Sequence, residues 1–461
     1  MKRRDAMKAI PAAVAGFGCF TNDALPDERS ERAEGAEKSR GMMIHPLEYQ
    51  ENVIRMLKWV RETQSENILE SAYAISRAIR NGGKLWLNWD QGHSTNAELF
   101  PGRQGVPDFI THGYDMNKSR KGDIVMMNRI LNQEQYDDIA QKGITVIGSP
   151  SPWGGDAEGA GDVKNDIRQL RIRPYADIWI DTPITTVGAT IKVPGMPASI
   201  GPVSGPLYMT IMWMVIADAC RILSIEGSSH DVDGDEPKLP DDANWINTAD
   251  PLMDNFLVEV LREMELIGAE LGNIRKIASM AADTLLGGGT VYYYSKYKYA
   301  YESENTGRRG GFAFAKGLSD GSIEGTSKDC VIMGIYQPDD KADLKNLDEF
   351  KKRGMRVASI GPITRDFAFP AGRSVHNETE IHAGRTYDTY GLYAVPGFGK
   401  KVCPTSGIIS FTINWTVSLE IINQIRERTG GNVPGVHFSG ALKWGSEYNR
   451  RVRAMSSDRG Y

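Results

Sequence analysis

The 461-residue sequence is poor in the residue patterns that announce metal or redox chemistry. Its four cysteines, Cys19, Cys220, Cys330 and Cys403, stand far apart with no C-x-x-C pair among them. Cysteines placed this way read as small buried hydrophobes. The seven histidines are equally scattered and form no H-E-x-x-H pattern, so no metal site is expected. No G-x-G-x-x-G follows either candidate first strand, which argues against a nucleotide-binding oxidoreductase, and no cofactor is expected. The net charge is −5 and no basic stripe is present, so the electrostatic footprint of a nucleic-acid binder is missing. Long apolar runs are missing too. Ile211–Ile222 is apolar but carries Asp218 and reads as a buried helix, so no integral membrane span is expected.

What the chain has is a repeat. Gly82-Gly83-Lys84-Leu85-Trp86-Leu87, followed by Glu98, Arg103 and Gly105, returns about 206 residues later as Gly288-Gly289-Thr290-Val291-Tyr292-Tyr293, followed by Glu304, Arg309 and Gly311. The same offset carries Asp123-Ile124-Val125 to Asp329-Cys330-Val331. This period is far too long for a solenoid and predicts two domains of one design. With 41% hydrophobic and 25% charged residues, the chain has the composition of ordinary globular domains.

The expected organisation is an export signal and flexible tether over 1–41, a first domain over 42–228, a linker over 229–248 and a second domain over 249–461. The basic run Lys2-Arg3-Arg4-Asp5-Ala6-Met7-Lys8 precedes a short apolar stretch from Ala9 to Phe20. That layout resembles a bacterial twin-arginine signal peptide and predicts export to the periplasm, with cleavage or lipid anchoring at Cys19 left open. The alternative is a cytoplasmic protein with a basic start.

Apolar residues at helical spacing predict an entry helix over 45–81, with Val53, Leu57, Val60, Ile68, Ala72 and Ile75 on one face. Asn81-Gly82-Gly83 ends it. Strands are expected at 84–88, 108–112, 124–128, 145–148 and 178–180, with a closing helix over 206–224. The second unit repeats this with a helix over 252–286, strands at 291–294, 330–335 and 356–360, and a closing helix over 406–429. Strands alternating with helices predict a parallel sheet covered on both faces.

Ligands of open parallel sheets sit beyond the carboxyl ends of the strands. The first such loop, Trp89 to Asn96, contains Gly92, His93, Ser94 and Thr95. Gly92 allows close backbone approach, and Ser94 or Thr95 offers a helix cap whose free amides suit an anion. His93 is the candidate acid or base. Asn128 in the third-strand loop, Ser149 and Ser151 in the fourth, and Ser204 before the closing helix are further candidate ligand contacts. Glu98 and Glu304 recur with their arginines. They read either as proton-transferring carboxylates, as aldose–ketose isomerisation requires, or as buried structural ion pairs. In the second unit Lys298-Tyr299-Ala300 replaces Gly92-His93-Ser94, so the first unit is the expected ligand site.

In their order these residues resemble the sugar isomerase (SIS) domain family. The resemblance rests on the Gly-Gly strand, Gly92-His93-Ser94, Glu98 with Arg103-Gln104-Gly105, Gly122-Asp123-Ile124-Val125, Tyr175-Ala176-Asp177-Ile178-Trp179-Ile180-Asp181, and Gly201-Pro202-Val203-Ser204. It implies an α/β fold of two flavodoxin- or Rossmann-like three-layer domains, paired within the chain as a pseudo-dimer, with assembly of whole chains into a homo-oligomer left open. It also implies a small-molecule sugar or phosphosugar derivative as ligand. The activity is either that of a sugar isomerase or lyase, or a non-catalytic sensing or scaffold role. The family's serine-rich phosphate loop after the third strand is absent, since Asn128-Arg129-Ile130-Leu131 and Gly334-Ile335-Tyr336-Gln337 stand there. An unphosphorylated sugar derivative fits that departure.

Overall fold

The computed structural model describes residues 43–89, 98–99, 102–129, 131–150, 172–184, 188–233, 238–239, 243–296, 301–306, 310–318, 325–363, 372–385, 391–438 and 442–459. The expected export signal and the loop holding Gly92, His93, Ser94 and Thr95 lie outside the described residues, as does Ser151.

Each half is built on a five-stranded parallel sheet. In the first, β1 (Leu85–Asn88), β2 (Ile110–His112), β3 (Ile124–Met127), β4 (Thr145–Gly148) and β5 (Ile178–Trp179) lie in the order β2-β1-β3-β4-β5. A small antiparallel pair, β6 (Ala189–Ile191) and β7 (Ile200–Pro202), leads to the closing helix. In the second half, β8 (Val291–Ser295), β9 (Lys316–Gly317), β10 (Cys330–Gly334), β11 (Arg356–Ile360) and β12 (Ile381–Ala383) run β9-β8-β10-β11-β12. The two orders are the same once the repeat is allowed for, so the sequence repeat is a repeat of topology, and the expected α/β class holds.

The longer helices are α1 (Glu48–Arg80), α2 (Gln133–Lys142), α3 (Ser204–Ile225), α4 (Leu252–Glu265), α5 (Leu271–Leu286), α6 (Lys341–Lys352), α7 (Ser406–Arg428) and α8 (Gly445–Arg459). Three layers form in each half. The outer face of the first sheet packs Tyr136 and Ile139 of α2 against Trp86, Val125 and Val146. In the second half Leu347 and Phe350 of α6 cover Tyr292, Val331 and Met333. The inner faces share one core with α1, α3, α5 and α7. Met43–Tyr461 accordingly forms a single compact unit.

The repeated glycines have one cause in both halves. Gly82 closes α1 at φ 75° and Gly288 closes α5 at φ 78°, a conformation that side chains resist. A Cβ on the next residue would overlap a carbonyl, Gly122 O for Gly83 and Lys328 O for Gly289. The neighbouring aspartates fix this close approach. Asp123 Oδ1 accepts from Lys84 N at 3.0 Å, and Asp329 Oδ1 accepts from Thr290 N at 2.7 Å.

The helix expected over 252–286 is two helices, because Leu266–Glu270 tightens into a 3₁₀ turn around Gly268. The first closing helix extends to 204–225, the second spans 406–428, and both are buried along nearly their whole length. Helix α3 is the one described helix long and apolar enough to cross a membrane, and it is 89% buried in the protein. Its Asp218 accepts from Arg221 Nε at 2.5 Å and from Met253 N at 2.9 Å, so the charge is paired and caps the start of α4. The segment expected as a linker straps the halves together. Asp231 O accepts from Asp108 N, and His230 N donates to Gly397 O.

Candidate functional site

The strand order reverses between β1 and β3, and between β8 and β10 in the second half. A crevice opens at the carboxyl ends of the strands at such a switch point. In the first half the residues at that point are Trp89 and Asn128, both buried. Trp89 Nε1 donates to Tyr208 O at 2.9 Å, and its ring meets the Tyr208 ring edge-on at 5.6 Å.

Tyr208, one turn into α3, brings three hydroxyls together. Its phenol lies among the side chains of Thr182 and Ser149, and burial pushes its pKa above the ordinary value. Ser149 follows β4, and Thr182 follows β5. The Ser149 and Thr182 oxygens are buried and gain no well-formed hydrogen bond among the described residues, while the Tyr208 hydroxyl donates to Pro150 O. Buried hydroxyls without good partners are costly, and each calls for a cause such as a bound polar molecule or a water. Asn128 and Ser149 follow the carboxyl ends of β3 and β4, and Ser204 is the first residue of α3; all three are buried. Thr182 and Tyr208 join them unannounced by any motif.

The two repeated glutamates sit differently. Glu98 is fully buried, with Oε2 accepting from Trp213 Nε1 at 3.1 Å and from Arg103 Nη2 at 3.4 Å. Arg103 Nη2 also donates to Ser406 Oγ at 2.9 Å, and the guanidinium lies 4.9 Å from the centre of the Tyr336 ring. A Cβ at Gly407 would collide with Glu98 Oε1. The first half therefore pushes a carboxylate onto the start of the second half's closing helix, where the helix dipole favours negative charge. The start of this helix at Ser406-Gly407 is therefore occupied by a carboxylate of the chain itself. Burial raises the Glu98 pKa, opposed by the Arg103 charge and by the bonds from Trp213 and Arg103. This is the geometry of a sealed ion pair joining two halves.

Glu304 is also buried, and burial raises its pKa well above the ordinary value. It lies near Tyr49, whose hydroxyl donates to Pro202 O at 2.8 Å just before α3. Its repeat partner Arg309 is outside the described residues. Among the described residues no group of histidines, cysteines and carboxylates is arranged to hold a metal ion.

An open groove of about 760 Å³ lies at the opposite end of the first sheet, between α1 and the amino ends of β3 and β4. Its wall carries Glu66, Glu70, Asp123 and Asp177. Asp123 already accepts from Lys84 N, Trp86 Nε1 and Arg120 N, and Asp177 accepts from Val146 N. Volume favours this groove, but the switch-point crevice is where the fold places ligands and where hydroxyls lack partners. The carboxyl edge is the better candidate site.

No family model and no curated protein matches the chain. Solved structures similar to it include a candidate sugar-binding protein from Salmonella typhimurium LT2, at 10% identity and TM-score 0.43, covering 82% of this chain and 98% of that one. A candidate phosphosugar isomerase from Clostridium difficile 630 is similar at 11% identity and TM-score 0.45, with 87% and 97% covered. Glucosamine-6-phosphate deaminase from Thermotoga maritima is similar at 8% identity and TM-score 0.39, with 86% and 98% covered. Likenesses this distant carry no argument about activity.

Proposed function

We propose that this protein binds a sugar or a closely related polyol at the carboxyl edge of its first sheet. One observation carries the reading: the buried hydroxyls of Ser149 and Thr182 flank the Tyr208 phenol without well-formed partners of their own among the described residues, beside the switch point between β1 and β3. A polyol presents hydroxyls that both donate and accept, so it satisfies such a cluster where an apolar ligand would not. Trp89 and Tyr208 supply the aromatic surface that sugar rings favour. In this reading Asn128 and Ser204 flank the ligand, and Gly92, His93, Ser94 and Thr95 are its candidate contacts from the sequence.

Binding without turnover is favoured over isomerase or lyase chemistry, because Glu98 is sealed in its ion pair with no face open to a substrate. Proton transfer, where it occurs, then falls to His93 or Glu304. The test is a thermal-shift panel of D-glucose, N-acetylglucosamine, gluconate and glucosamine 6-phosphate. A ligand present at 100 times its Kd stabilises the fold by about 2.7 kcal/mol. Ser149→Ala combined with Thr182→Val should weaken that ligand at least tenfold. A panel that leaves the melting temperature unmoved, or a double variant that binds as well as the parent, sinks the proposal.

A further inference from the structure

We infer that the second half holds a latent ring-sized polyol seat in its own switch-point crevice, and that Tyr301 is its built-in occupant. The inference rests on the reading that the first half binds a sugar at the equivalent edge. Three larger side chains that line the first crevice are replaced by small ones in the second. Trp89 becomes Ser295, Asn128 becomes Gly334, and Tyr208, the fifth residue of α3, becomes Ser410, the fifth residue of α7. The ends of β8 and β10 pair with Ser295 opposite Gly334, so both present the same face toward α7.

Tyr301 fills the space so released. A Cβ at Gly334 would overlap the Tyr301 ring, so the glycine is what admits the aromatic side chain. The ring is 1% exposed and meets Tyr336 edge-on at 5.7 Å. Its hydroxyl lies beside Ser410, close enough to the Glu98–Arg103 pair to feel both charges. Ser295 Oγ is fully buried with no partner among the described residues. The phenol packs without hydrogen-bonding that serine, which a polyol hydroxyl would do. The position at the same offset in the first half is Thr95.

The experiment is isothermal titration of the full chain, Tyr301→Thr and Tyr301→Leu with D-glucose, N-acetylglucosamine and glucosamine 6-phosphate. Leucine keeps an apolar filler should the threonine variant fail to fold. The expected result is one equivalent bound by the parent chain and two by a variant. A variant that folds and binds one equivalent with the parent's affinity overturns the latent seat and leaves the first-half reading standing. A parent that binds none while a variant binds one supports the latent seat and removes the first-half site. No binding by the parent or by either variant overturns both.

Discussion

Arg103→Met should be one of the most damaging single changes in this protein. The substitution keeps most of the stem volume and removes the guanidinium. Glu98 then loses its charged partner while staying fully buried, with Trp213 Nε1 as its remaining donor and Gly407 pressed against Oε1. Breaking a buried pair from one side costs about 3–5 kcal/mol, because the other charge is left behind. Loss of the Tyr336 contact adds about 0.5–2 kcal/mol. Urea unfolding, read as a fall in midpoint at constant slope, measures the sum. A pH series adds a signature. Burial already holds the Glu98 pKa above its unfolded value, and Arg103 pulls it down. Without Arg103 the pKa rises further, so the carboxyl is stable in the fold below its unfolded pKa and that stability drains away as pH rises through the folded value. The variant should regain part of its loss on acidification, and Glu98→Gln in the same background should return part of it at neutral pH. A loss under about 1 kcal/mol, or costs for Glu98→Gln and Arg103→Met that simply add, would refute a sealed joint between the halves.

Asp343 is buried beside Tyr294, and burial together with the Asp340 charge pushes its pKa up to about 8. Its neutral form belongs to the fold, so its contribution is complete below the ordinary aspartate range and is lost as pH climbs to about 8; Asp343→Asn should match the parent near pH 4 and exceed it by about 2 kcal/mol or more near pH 8 in urea midpoints. Gly289→Ala should cost at least 2 kcal/mol by forcing Lys328 O away, whereas Ala at Gly272, where a Cβ meets nothing, should be neutral or stabilising in the same thermal scan. Replacing Arg3 and Arg4 by lysine should abolish export of the chain in a bacterial host, read by fractionation; unchanged periplasmic recovery would contradict the signal reading.

Much of the architecture was legible where local physics decides it. The 3.6-residue stripe of α1, the Gly82-Gly83 stop and the recurrence of Asp123 as Asp329 each reflect a short-range constraint that the chain repeats, and each was met in the structure. The surface helices α2 and α6 were harder to read, since the first buries only Tyr136 and Ile139 and the second little more than Leu347 and Phe350. The site was legible in outline only. Ser149 was named by the rule that ligands sit at strand carboxyl ends, and it does follow β4. Tyr208 and Thr182 belong to no motif and reach the same place by packing. Least legible was the crossing of Glu98 and Arg103, for Arg103 meets Ser406 303 residues away. A carboxylate that recurs in two halves looks like chemistry in the sequence, and its partner on the other closing helix appears only in three dimensions. That Ser410 stands where the first half has Tyr208, and that Tyr301 packs on Gly334, becomes visible when the two halves are compared by strand register.

The most direct test is a crystal structure of the full chain with the tightest-binding sugar of the panel. Electron density among Ser149, Thr182 and Tyr208, at the carboxyl ends of β1, β3 and β4, is the predicted result. Density instead in the acidic groove between α1 and the amino ends of the strands, lined by Glu66 and Glu70, would contradict the account.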